Sequence, residues 1–137
     1  MERTLSTYEA KCRACGSTFA HPSLGDLTYG EMLFCSQNGR SYVAANGLSS
    51  FAQRVRHVLG DSQSKDFWRI LAALTIQADG VPYTIEIRCP VCCAAELEYW
   101  DGDELGMVAV PDATFPDELL INEQALSTKI SALSQAA

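Results

Sequence analysis

Two short cysteine pairs, Cys12-Arg13-Ala14-Cys15 and Cys89-Pro90-Val91-Cys92, constrain this 137-residue chain more than any other feature. Two residues between paired cysteines let both sulfurs reach one ion from a tight turn. Two such turns supply four thiolates at tetrahedral corners, the set that zinc takes in structural sites. A shared ion makes residues 16–88 an insertion between the two halves of the site. Stretching a conventional spacer of about 15 residues to this length adds roughly 1.4 kcal/mol of loop closure. Structural zinc contributes on the order of 10–16 kcal/mol in small peptides. The ion wins, and one structural Zn2+ per chain is expected at Cys12, Cys15, Cys89 and Cys92.

The flanks of the pairs carry further signals. Residues 4–11 partly alternate and suit a strand leading into Cys12, and Gly16 can take the positive φ that turns the chain back. Lys11, Arg13 and Arg88 sit beside the cysteines and suit the surplus negative charge of four thiolates. Behind Cys92 the glycine position is occupied by Cys93. A left-handed conformation there costs roughly 1–2 kcal/mol, so either the second turn is distorted or Cys93 replaces Cys92 as fourth ligand. The pattern Lys11-Cys12-Arg13-Ala14-Cys15-Gly16 and Arg88-Cys89-Pro90-Val91-Cys92 resembles a zinc ribbon. That resemblance implies two knuckles on β-hairpins around a structural metal, and binding of macromolecules more often than catalysis.

Elsewhere the pattern predicts an α+β fold. Residues 21–30 read as loop. Met32-Leu33-Phe34-Cys35 and Tyr42-Val43-Ala44 flank Asn38-Gly39 and read as a β-hairpin closed by a two-residue type I′ turn. Ser49 or Ser50 can cap a helix with Phe51, Val55, Val58 and Leu59 on one face. A second helix, from about Ser64 to Ala78 and ended by Gly80 and Pro82, carries Phe67, Leu71 and Leu74 and is the expected core helix. Residues 83–88 alternate as a strand entering Cys89. Residues 95–99 and 106–110 read as a hairpin around the acidic turn Asp101-Gly102-Asp103-Glu104, although 93–98 is also good helix-forming sequence. A C-terminal helix starts at Pro116 with a stripe of Leu119, Leu126, Ile130 and Leu133, interrupted at Asn122 and Glu123. The organisation is then a single domain, 1–137. Residues 1–47 and 79–110 form β-rich metal-binding halves around a helical insertion, 48–78, and 116–137 is a terminal helix whose Ser/Gln/Ala end is bland.

Charge narrows the function classes. The net charge is −7, and from Asp79 onward eleven acidic residues face only Arg88 and Lys129. That field repels a phosphate backbone, and nucleic-acid binding would need Lys11, Arg13, Arg54 and Arg56 to cluster. No apolar run reaches the ~20 residues of a membrane span, and the first residues lack the apolar core of a signal peptide, so a cytoplasmic chain with reduced thiols is expected. The reading is a zinc-binding interaction or regulatory module, not an enzyme, with another protein as partner and self-association through the C-terminal helix as an option. The rival is a thiol-disulfide oxidoreductase or redox sensor using Cys89 and Cys92, with a following helix to lower a thiol pKa. Cys35 reads as a small buried hydrophobe, and His21 and His57 as ordinary solvated or hydrogen-bonded side chains.

Overall fold

The computed structural model describes residues 2–24, 30–60 and 66–135. Its elements are β1 (Glu2–Cys12), β2 (Thr18–Pro22), β3 (Glu31–Ser36), β4 (Tyr42–Asn46), α1 (Ser50–Leu59), α2 (Phe67–Leu74), β5 (Tyr83–Thr84), β6 (Leu97–Tyr99), β7 (Glu104–Pro111), α3 (Asp117–Ile121) and α4 (Glu123–Gln135). The strands form two antiparallel sheets, so the α+β expectation holds at that level. No helix among the described residues is long and apolar enough to cross a membrane.

The middle layer is the sheet β4-β3-β5. Along β3, Met32 and Phe34 face the helices while Leu33 faces the other sheet, and along β4 Val43 and Ala45 face the helices while Tyr42 and Ala44 face the other way. A strand covered on both faces has no polar face to show, which explains the unbroken apolar runs 32–35 and 42–45. On the helical side, Phe51, Val55 and Leu59 of α1, Phe67, Ile70, Leu71 and Leu74 of α2, and Leu126 and Ile130 of α4 close one core. On the other side, Leu5 of β1 and Val110 of β7 pack on Ala44.

Six expectations are corrected. The β3–β4 hairpin forms, but not through a two-residue type I′ turn. Ser36 C=O accepts from Gly39 N–H at 2.8 Å, and Gly39 (φ 74) is left-handed while Asn38 is not. The Ser36 hydroxyl organises this longer connection, donating to Asn38 Oδ1 and accepting from the backbone of Arg40 and Ser41. Second, α2 stops at Leu74 rather than Ala78. The Thr75 hydroxyl donates to Leu71 C=O, its backbone turns extended, and Ile76 N–H goes to Thr114 C=O at 2.8 Å. The expected start near Ser64 lies outside the described residues.

Third, only Tyr83 and Thr84 of residues 83–88 pair as strand, with Ser36 and Cys35 of β3. The Thr84 hydroxyl accepts from Glu86 N–H at 3.3 Å and folds the next residues into a local bend. Fourth, β6 and β7 do not form a hairpin with each other. Both lie end to end along one edge of β1, with Cys12 opposite Leu97 and Tyr8 opposite Glu104. The eleven residues of β1 offer a longer ladder than the two short segments offer each other. Residues 100–103 become an excursion, tied to β1 by Gly102 N–H to Glu9 C=O and Glu9 N–H to Asp103 C=O. No helix follows Cys93 before β6.

Fifth, the C-terminal helix is two helices. Asn122 Oδ1 accepts from Ala125 N–H at 3.0 Å and starts α4 afresh. The stripe is nonetheless in use, because Leu119, Leu126 and Ile130 are buried and Leu133 packs against them. Sixth, of residues 21–30, expected to be loop, His21 and Pro22 instead end β2 against β1, and residues 25–29 lie outside the described residues.

Candidate metal centre

The long strand β1 carries Cys12 to the rim of its sheet. There the chain turns through Arg13-Ala14-Cys15-Gly16 and returns as β2. In this first knuckle Gly16 N–H donates to Cys12 C=O at 2.9 Å, and Cys12 N–H donates to Ser17 C=O at 2.9 Å. Gly16 has φ 77, as the turn requires. The second knuckle repeats each bond. Cys93 N–H donates to Cys89 C=O at 2.8 Å, and Cys89 N–H donates to Ala94 C=O at 2.9 Å. Cys93 takes φ 67, the left-handed conformation, without a glycine's freedom. Neither the expected distortion nor a place for Cys93 in the cysteine cluster is seen. The turn keeps its regular shape, and Cys93 bears the strain at its own backbone.

The two knuckles meet. The ligand atoms of Cys12, Cys15, Cys89 and Cys92 all lie within 4.8 Å of one another, and the cluster excludes Cys93. Two sulfur–sulfur hydrogen-bond contacts run between the pairs: Cys12 Sγ to Cys92 Sγ at 3.5 Å and Cys15 Sγ to Cys89 Sγ at 3.6 Å. A tetrahedron with bonds of about 2.3 Å has sulfur–sulfur edges of about 3.8 Å, so the donor set fits an ion of zinc's size. Cys12 and Cys89 are buried, while Cys15 and Cys92 reach the surface. The four cysteines therefore can bind a metal, and their chemistry favours a thiophilic one.

Backbone pairing holds this geometry from both sides. Arg13 N–H donates to Glu96 C=O at 2.8 Å, and Cys12 stands opposite Leu97 of β6. The second knuckle is not on a hairpin of its own, because β5 before it belongs to the middle sheet. That sheet supports it instead. Arg88 N–H donates to Cys35 Sγ at 3.5 Å. Gly39 lies so close that an added Cβ would stand 2.5 Å from Arg88 O and 2.8 Å from both Cys89 C and Pro90 N. Cys35 is thus buried, as expected, but it also accepts a bond from the segment entering the knuckle.

Hydrogen-bond donors are aimed at the sulfurs. Val91 N–H donates to Cys89 Sγ at 3.4 Å. Ser17, through its side chain and then its backbone, holds the Cys15 thiol down to about 6. The Ala94 backbone N–H pulls the Cys92 thiol down, but the facing sulfurs of Cys12, Cys15 and Cys89 outweigh it and push Cys92 up to about 12. Four thiols at this spacing share protons because neighbouring thiolates repel; a divalent cation among them removes that conflict. Ser17, Ala94, Gly39 and Cys35 were not legible as supports from the sequence. Only a doubled Cys-x-x-Cys with donors two residues after each second cysteine could have pointed to the first two.

Of the flanking cations, Lys11 and Arg88 serve other partners. Lys11 pairs with Glu98 at 3.4 Å, and Arg88 pairs with Glu86 at 3.2 Å and donates to Cys93 C=O at 3.2 Å, bracing the knuckle. Arg54 donates to Leu120 C=O, and Arg56 lies 3.7 Å over the Phe67 ring. His21 is buried on β2, its ring nitrogens facing Pro22 C=O and Trp100 C=O, where it ties the 100–103 excursion to the sheet. His57 is exposed on α1. Neither histidine joins the cysteine cluster. No family model, no curated protein and no solved structure matches this chain.

Proposed function

We propose that the chain is a cytoplasmic protein-interaction module stabilised by one structural Zn2+ held by Cys12, Cys15, Cys89 and Cys92. One observation carries the reading: two knuckles with the same hydrogen-bond pattern point four sulfurs at one centre, within 4.8 Å of each other. Four thiolates close the coordination sphere and leave no position for water or substrate, the arrangement of structural rather than catalytic sites. Bound there, the ion would cross-link the N-terminal strand pair to the segment between β5 and β6. The protein's own part is to present deprotonated sulfurs, shield Cys12 and Cys89, and fix both turns through β1, β6 and Gly39. With Lys11, Arg54, Arg56 and Arg88 engaged as described and a net charge of −7, a protein fits the partner role better than nucleic acid.

The rival, thiol-disulfide exchange at Cys89 and Cys92, is supported less well. No helix directly follows that pair, and each of these sulfurs lies in hydrogen-bond contact with a cysteine of the other knuckle. Elemental analysis with thiol titration separates the two. The zinc reading predicts one metal per chain, Cys93 reactive at once, and four further thiols exposed on chelation. Metal-free protein with an easily reduced Cys89–Cys92 disulfide would sink it.

A further inference from the structure

We infer that the open edge of β7 is a docking site for an extended segment of another protein, apolar in its middle and basic at the end that meets Asp103 and Glu104. The inference rests on the reading of the chain as a protein-interaction module and names its surface. Among the described residues β7 pairs with β1 alone, and seven of its eight residues are exposed. Leu105 (52%), Met107 (65%) and Val108 (40%) are open to solvent, and no residue of 105–111 is charged. Natural sheets protect long apolar edges unless they use them. The other described edges are protected. β2 is short and ends in Pro22, β5 has two residues and β6 three, and β4 is bridged at Ala44 by Asp112 and Ala113.

Proline sets which groups point outward. Pro111 stands opposite Glu2 and has no N–H, so that pair cannot be one that exchanges both hydrogen bonds. Alternation along the ladder then makes Val110 and Val108 the residues bonded to β1. Met107 and Ala109 turn their N–H and C=O to the open side. These groups are the hydrogen-bonding set that strand addition uses.

Charge selects the occupant. The apolar stretch is flanked at one end by Asp103 and Glu104, whereas at the other end Asp112 already lies 3.8 Å from Arg3. A second copy pairing antiparallel about Val108 would offer Asp103 and Glu104 no cation but that Arg3, which Glu31 and Asp112 already engage. A strand with lysine or arginine at the end that meets Asp103 and Glu104 finds opposite charge instead.

The test uses the zinc-loaded full chain under reducing conditions and two synthetic peptides, Lys-Lys-Val-Thr-Val-Thr-Val-Lys-Lys and its Glu-flanked counterpart. Amide exchange and NMR shifts read the site. The expected result is saturable binding of the Lys-flanked peptide, weakened by salt, with protection of the Met107 and Ala109 amides, and at least roughly tenfold weaker binding of the Glu-flanked peptide. Ala109→Pro removes an outward N–H that the β1 ladder does not use, and should weaken binding by at least about fivefold while zinc content and secondary structure persist. Glu104→Lys, at an exposed position, should narrow the preference between the two peptides severalfold. Absence of binding at millimolar peptide, undiminished binding to Ala109→Pro, or equal binding of both peptides would overturn the inference. So would a dimer of the chain alone that Ala109→Pro dissolves. Metal content measured on the same samples keeps a failure of the zinc reading separate from a failure of docking.

Discussion

Cys93 offers a quantitative test of the knuckle geometry. It holds φ 67 where the first knuckle has Gly16 at φ 77, and its side chain is exposed. A side-chain-bearing residue pays about 1–2 kcal/mol for that conformation. Cys93→Gly removes the strain and loses no burial, but the freer glycine costs about 0.5–1 kcal/mol through the unfolded chain. The net expectation is a gain of about 0.5–1 kcal/mol, or about 2–5 °C in melting temperature for a domain of this size. Gly16→Ala is the mirror experiment. No atom lies within 4 Å of the added Cβ, so backbone strain of about 1–2 kcal/mol acts against the roughly 0.5–1 kcal/mol that alanine saves in the unfolded chain, and a net loss of about 0.5–1 kcal/mol is expected. Cys93→Ala controls for the thiol and should leave stability unchanged. Urea unfolding of the zinc-loaded proteins measures all three, with metal content determined beside each. If Cys93→Gly is neutral while Gly16→Ala is costly, the two turns are not equivalent. If Cys93→Gly loses the metal, Cys93 is a ligand and the geometry has been misread.

Three other perturbations reach different parts of the same construction. Gly39→Ala would drive a Cβ into the backbone of residues 88–90; adding overpacking to left-handed strain gives a loss of about 2–5 kcal/mol, and a chelator competition should show weaker metal retention. Cys12→Ser should leave less than one tightly held zinc per chain and lower the unfolding midpoint of the whole domain, whereas Cys93→Ser should keep the metal; equal metal retention in both would refute the shared site. Burial pushes the Tyr42 phenol up, with Cys35 adding to the shift, and burial likewise pushes up the Cys35 thiol. Folded values above unfolded ones mean stability present below the unfolded values, 10.0 and 9.0, and lost as pH rises beyond them. Tyr42→Phe should therefore move the alkaline unfolding midpoint to higher pH, followed by circular dichroism, and an unchanged midpoint would remove Tyr42 from that account.

What could be read from the chain, and what could not, divides by the range of the interaction. Each knuckle is local: six residues contain the turn, both sulfurs and the donor to the second sulfur, so Cys12, Cys15, Cys89 and Cys92 were legible as a set. So was α1, whose Ser49 cap and apolar spacing lie within one segment. The failures are competitions between local pattern and distant partners. Residues 95–99 and 106–110 do alternate, yet β1 outbids them as partner for each other because it offers one uninterrupted ladder along which both can lie. Residues 74–78 are apolar enough to continue α2, yet Thr75 and the carbonyl of Thr114 take the next hydrogen bonds. The same competition produces the surface of greatest interest. Once β7 is drawn to β1 instead of folding back on β6, its second edge meets no strand among the described residues, and Met107 and Ala109 present their backbone groups outward beside Asp103 and Glu104. A hairpin would have consumed that edge. The metal site and the open strand are thus consequences of one choice by β1, whose C-terminal end places Cys12 and whose N-terminal half strips β7 of its local partner.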